Sequence, residues 1–120
     1  MKDQMIIASI QMYSTDDKER NLQTMNNYLE HINKAFPNIK MVVFPELAAH
    51  GSISNMRKEA EVIPGELTSI FSNMANKYNL WLIPGSIYEK SGNEVFNTTP
   101  VFSSSGDLPV SYTHLTLPTT

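Results

Sequence analysis

Met41-Val42-Val43-Phe44-Pro45-Glu46 is the stretch from which the rest of the chain is best read. Its four leading apolar residues suit a short strand buried on both faces, and Pro45 ends it because a proline nitrogen has no hydrogen to give a ladder. Glu46 is thereby set just past the carboxyl end of a strand. In an open α/β sheet, ligands gather in the crevice at that end. A carboxylate partly desolvated there is suited to moving protons near neutral pH. These six residues are equally compatible with a blander reading, a solvated loop glutamate or one capping the next helix.

Working back toward the amino terminus, residues 6–12 (Ile-Ile-Ala-Ser-Ile-Gln-Met) begin as a continuous apolar run and then alternate, as a largely buried strand does. Ser14 or Thr15 is the expected cap of a following helix, whose first turn carries Asp16, Asp17 and Glu19 where the helix dipole favours acids. Leu22, Met25, Leu29, Ile32 and Phe36 recur at helical spacing and give that helix one apolar stripe. Pro37-Asn38 stops it.

Beyond Glu46, residues 47–62 carry the weakest pattern, with Gly51 and Ser52 marking a turn and residues 55–61 reading as a short helix. Pro64-Gly65 introduces a helix from Glu66, with Leu67, Ile70, Phe71, Met74, Ala75 and Tyr78 along one face and an end near Asn79. Residues 80–83 form a third buried strand. Pro84-Gly85 bends the chain, and residues 86–89 stay extended. Ser91-Gly92-Asn93 reads as a hairpin turn into a strand over residues 95–103, and Ser105-Gly106-Asp107 as the next turn.

Helices alternating with strands predict an α/β fold, with a mixed, mostly parallel sheet, right-handed crossovers, helices on one face and an antiparallel edge from the closing hairpin. No repeat or linker divides the chain. Residues 1–108 read as one unit. Residues 109–120 stand apart, because the stretch 111–120 has no Lys, Arg, Asp or Glu and is rich in threonine; its composition fits a non-native tail.

A net charge of −3, with lysines and arginines scattered along the chain, offers no basic field for a phosphate backbone, which argues against nucleic acid as a partner. The apolar run near the amino terminus falls far short of the roughly 18 residues a membrane span needs and lacks the features of a signal peptide, so a cytoplasmic location is expected. The chain has no cysteine. It therefore contains no thiolate nucleophile, disulfide or thiolate metal site.

None of the three histidines, His31, His50 and His114, lies at ligand spacing from another. His31 falls beside the apolar stripe of the first helix, where a surface or packing role is the expectation. His50, four residues after Glu46, is placed to line the same crevice. Asn97-Thr98-Thr99 matches a glycosylation acceptor, but without a secretory signal the match reads as accidental. Phe36, Phe44, Phe71, Tyr78 and Trp81 fall at expected core positions. No phosphate loop, dinucleotide fingerprint or nucleophile elbow is present, and no metal or organic cofactor is expected.

Gln11, Asn21, Val42-Val43-Phe44-Pro45-Glu46-Leu47, Ile63-Pro64-Gly65-Glu66, residues 82–89 (Leu-Ile-Pro-Gly-Ser-Ile-Tyr-Glu) and residues 96–101 (Phe-Asn-Thr-Thr-Pro-Val) resemble, in order and spacing, the nitrilase superfamily of carbon-nitrogen hydrolases. The likeness spans about residues 5–108. It implies a partial α-β-β-α sandwich, homo-oligomeric in the complete enzyme, that hydrolyses nonpeptide carbon-nitrogen bonds in small amides, carbamoyl compounds or nitriles. It further implies a Glu-Lys-Cys mechanism without metal or cofactor, in which Glu46 is the general base. Only Glu46 carries over. Gly106-Asp107-Leu108 matches the turn before the family's lysine, but Tyr112-Thr113-His114-Leu115 stands where that lysine is expected, and no cysteine follows. The expectation is an incomplete, inactive hydrolase. Two rivals of other classes stand beside it: a noncatalytic module pairing through exposed sheet edges, and a small α/β ligand-binding domain with Glu46 in its crevice.

Overall fold

The computed structural model describes residues 4–51 and 56–116. Strands β1 (Ile6–Ser9), β2 (Ile39–Val43) and β3 (Trp81–Ile83) form a parallel sheet in the order β1-β2-β3. Helix α1 (Lys18–Ala35) crosses from β1 to β2. The short α2 (Met56–Glu59) and then α3 (Glu66–Tyr78) lie between β2 and β3. Both crossovers step the same way across the sheet, so right-handed connections put α1 and α3 on one face. The helices meet there, and the Tyr78 hydroxyl donates to Asn26 Oδ1 at 2.9 Å.

Register explains which side chains form the core. Ala8, Val42 and Leu82 are cross-strand neighbours, and all three pack beneath the helices, with Val42 and Leu82 fully buried. They meet Met25, Leu29 and Ile32 of α1 and Leu67, Phe71 and Met74 of α3. Side chains alternate along a strand, so Ile7, Met41 and Trp81 point to the other face. That face is only partly covered; Ile7 is half exposed.

Strands β4 (Ile87–Ser91), β5 (Glu94–Val101) and β6 (Val110–Thr116) make a second, antiparallel sheet in that order. The two-residue turn at Gly92-Asn93 closes the predicted hairpin, with Ser91 opposite Glu94. The sequence led us to expect an antiparallel edge on the parallel sheet, and that edge is one residue long. Phe102 and Leu82 exchange both backbone hydrogen bonds at 2.9 Å, while β5 itself pairs with β4 and β6. Phe102 thus links the two sheets, and its ring is buried against Phe71. Part of the threonine-rich segment thus contributes a strand, β6; residues 117–120 lie outside the described residues.

Several local expectations shift for physical reasons. Asp17, not Ser14 or Thr15, caps α1, accepting from the Arg20 N–H at 3.2 Å. Ser14 and Thr15 are engaged elsewhere: Ser14 Oγ donates to the Ala48 carbonyl at 2.7 Å, and Thr15 binds Asn21 through its amide and its hydroxyl. Asn21 is buried on the stripe of α1, whereas Phe36 caps the helix and is exposed, with its ring edge against His31. Trp81 is half buried on the less covered sheet face rather than in the core. The short helix expected over residues 55–61 is α2, one turn long; Asn55 and the Ser52 half of the expected turn lie outside the described residues. Helix α3 begins and ends as the sequence indicates, with Gly65 at its N-cap and Asn79 in the left-handed conformation at its C-cap.

Candidate active site

Glu46 lies on a turn that follows β2, beyond the strand's carboxyl end. The turn is held from several sides. Leu47 adopts a left-handed backbone, φ 53°, which costs a branched residue on the order of 1–2 kcal/mol and persists only where surrounding contacts impose it. Those contacts are present. The Leu47 N–H donates to Ser86 Oγ at 3.0 Å, and its carbonyl accepts from the amides of His50 and Gly51 at 3.0 and 2.9 Å.

From the α1 side, the buried Asn21 donates through Nδ2 to the carbonyls of Thr15 and Ala49 at 2.7 and 2.9 Å. Its Oδ1 accepts from the Thr15 amide at 2.7 Å. One asparagine thus ties the connection between β1 and α1 to the turn bearing Glu46. Two glycines make the approach possible. A Cβ on Gly85, φ 85°, would sit 1.9 Å from the Pro45 carbonyl oxygen, and one on Gly51, φ 66°, would sit 2.0 Å from that of Thr15. No other residue fits either place without moving backbone.

The second sheet supplies the wall beside Glu46. Asn97 of β5 donates from Nδ2 to Glu46 Oε2 at 2.6 Å, a short, charge-assisted bond. Tyr88 of β4 is paired opposite Asn97, and its buried ring lies 4.9 Å, centroid to centroid, from that of His50. Burial first, then the nearby Glu46 charge, pushes the Tyr88 hydroxyl above its ordinary pKa. His50 is fully buried, and neither ring nitrogen has a hydrogen-bond partner among the described residues. Burial, with a smaller contribution from the Lys18 ammonium and against the pull of Glu59, lowers its pKa to about 4. It is a neutral imidazole at physiological pH.

Of the residues singled out from sequence, the structure brings Glu46 and His50 into one cluster and leaves His31 exposed on α1; His114 falls within strand β6. His50 does not line an open crevice; it is buried behind Tyr88. Glu46 is itself exposed, because the described residues wall its turn on the β3 and β5 sides without closing over it. Beyond the accidental glycosylation match and its place in the family-like stretch 96–101, Asn97 had no expected role at the site. Its amide is buried and committed to Glu46. The signal available in the sequence was an asparagine at an inward strand position, which needs a polar partner. Ser86 and Tyr88 share its face by the same alternation. Among the described residues no group of three or more His, Asp or Glu could hold a metal ion, and no helix is long and apolar enough to cross a membrane.

The family model for carbon-nitrogen hydrolases matches residues 6–120. The omega-amidase NIT3 of Saccharomyces cerevisiae is 34% identical over 110 residues, covering 85% of this chain and 38% of that protein. The omega-amidase NIT2 of Danio rerio is 34% identical over 107 residues, covering 88% of this chain and 38% of that protein. The crystal structure of S. cerevisiae Nit3, described as a member of branch 10 of the nitrilase superfamily, superposes with a TM-score of 0.84 at 31% identity. It is matched over 92% of this chain and 44% of its own length. A carbon-nitrogen hydrolase from Helicobacter pylori, 21% identical with a TM-score of 0.78, shares the fold. The chain therefore spans about two-fifths of the length of these relatives. With its nitrilase-like half-sandwich and a family match along nearly its whole length, the chain belongs to the carbon-nitrogen hydrolase family.

Proposed function

We propose that this chain supplies the general base, Glu46, of an amidase that cleaves small-molecule amides through a Glu-Lys-Cys mechanism. The supporting observation is the carboxylate's placement: past the end of β2, on a turn braced from α1 and from the connection between β3 and β4, with one oxygen held by Asn97 at 2.6 Å. A group held by rigid elements in this way loses little freedom when a substrate arrives. The omega-amidase relatives favour an amide over the carbamoyl compounds and nitriles used elsewhere in the family.

In the reaction, Glu46 takes the proton of a cysteine thiol as sulfur attacks the amide carbon, then returns it to the departing amine. Water, activated by the same carboxylate, cleaves the thioester. The nucleophilic cysteine and the lysine that stabilises the tetrahedral intermediate come from outside these residues, since the chain has no cysteine and Thr113-His114 stands where the lysine is expected. The chain alone is accordingly inactive. The complete enzyme is a cytoplasmic homo-oligomer on this reading.

Grafting residues 1–108 in place of the corresponding part of yeast Nit3 tests the proposal. Ammonia release from a primary amide is expected, with loss of at least about a hundredfold in Glu46→Gln. A folded graft that hydrolyses the amide equally well with Glu46→Gln would remove Glu46 from the mechanism.

A further inference from the structure

The two oxygens of Glu46 are not equivalent. Oε2 accepts the Asn97 Nδ2–H at 2.6 Å, and Oε1 has no hydrogen-bond partner among the described residues. Asn97 is equally lopsided: its donor end is on the carboxylate, while its own Oδ1 is buried without a partner among the described residues. Buried amides ordinarily satisfy both ends, so an orphaned acceptor asks for a reason. Turning the amide over does not relieve it, because Oδ1 would then face a carboxylate that only accepts. The donor orientation is therefore dictated by Glu46, at the expense of the other end of the side chain.

The platform under Asn97 is held from the β4 side. β5 is the central strand of its sheet and pairs in continuous register with β4, while its register with β6 shifts at Asn97 between the paired residues Phe96 and Thr98. Tyr88, the residue opposite Asn97, is wedged against the buried ring of His50. We infer that Asn97 is a positioning residue for Glu46: it holds Oε2 in one place and leaves Oε1 as the oxygen that takes and returns the proton. The choice of oxygen rests on the general-base reading of Glu46; the bond and the positioning do not.

The test uses the 120-residue chain, labelled with ¹⁵N and ¹³C, and nuclear magnetic resonance of two side chains. One Asn97 Nδ2–H proton should resonate downfield of those of the other asparagines, and should return among them in Glu46→Ala. Glu46 is exposed, so that substitution leaves the backbone spectrum of the folded chain in place. In Asn97→Ala, the three-bond couplings of Glu46 should change from those of a single rotamer to an average over several. Asn97→Ser, which keeps a shorter donor, should restore part of the single-rotamer pattern. A purely structural asparagine moves none of these Glu46 couplings. Asn97 protons indifferent to Glu46→Ala, or Glu46 couplings already averaged in the parent chain, would overturn the inference. These spectra report no turnover, so failure of the grafted enzyme to hydrolyse amides would strike the general-base reading and leave the positioning intact.

Discussion

The two faces of the parallel sheet differ sharply in how complete they are. On the helix side, Ala8, Val42 and Leu82 lie under α1 and α3, and the turn carrying Glu46 continues that packed side through Ala48, Ala49 and His50, all buried. On the other side, Ile7, Met41 and Trp81 occupy the adjacent rung of the ladder and remain partly open to water. Every strand is short and every residue in these rungs is apolar, so composition does not separate the faces. The presence of helices does. One face is buried by the two helices packed on it, and the other is left partly uncovered by the described residues.

The largest expected effect lies on the finished face. Phe71→Ala empties a fully buried site between α3 and Phe102 and should lower unfolding free energy by about 4 kcal/mol in urea titration. A loss under about 1 kcal/mol would mean that this face is far looser than its burial implies.

His50 sharpens the comparison through pH. Its folded pKa, about 4, lies below the 6.5 expected of the unfolded chain, so the unfolded state binds the proton more readily. The contribution of a neutral His50 is fully present above about pH 6.5 and is lost as pH falls through about 4. By linkage the total is on the order of 3 kcal/mol. The difference in stability between the parent chain and His50→Gln should therefore change across that window, in favour of the variant at the acid end. A difference that stays flat from pH 7 to 4 would show that the ring is hydrated.

Asn21→Ala strips the carbonyl of Ala49 and the amide of Thr15 of their partner while leaving the helix stripe otherwise apolar. A loss of about 2 kcal/mol is expected, together with faster hydrogen exchange in residues 45–51 than elsewhere. Uniformly faster exchange would make Asn21 a general core residue and not the brace of that turn.

The smallest effect belongs to the open face. Ile7→Ser should change stability by no more than about 0.5 kcal/mol, since its side chain is already half in water. It should also reduce concentration-dependent light scattering, because an apolar patch is removed. A cost as large as that of Phe71→Ala would mean that the face is covered in solution.

Much of this could be read from residues 41–46 and their surroundings. Apolar runs of strand length, helical spacing after Ser14 and after Pro64-Gly65, and the Gly92-Asn93 turn fixed the element order, because those patterns arise from periodicities local to the chain. The same local logic set Glu46 beyond a strand end. What it could not supply were partners far along the chain. That Asn21 reaches the turn from α1, that Gly85 clears the way for Pro45, that Asn97 binds Glu46 from 51 residues away, and that Phe102 rather than the hairpin borders β3 are consequences of how the elements pack. Hydrogen bonds act over about 3 Å of space and not over sequence. Periodicity therefore determined which segments are strands and helices, and only their tertiary arrangement decided which polar side chains meet.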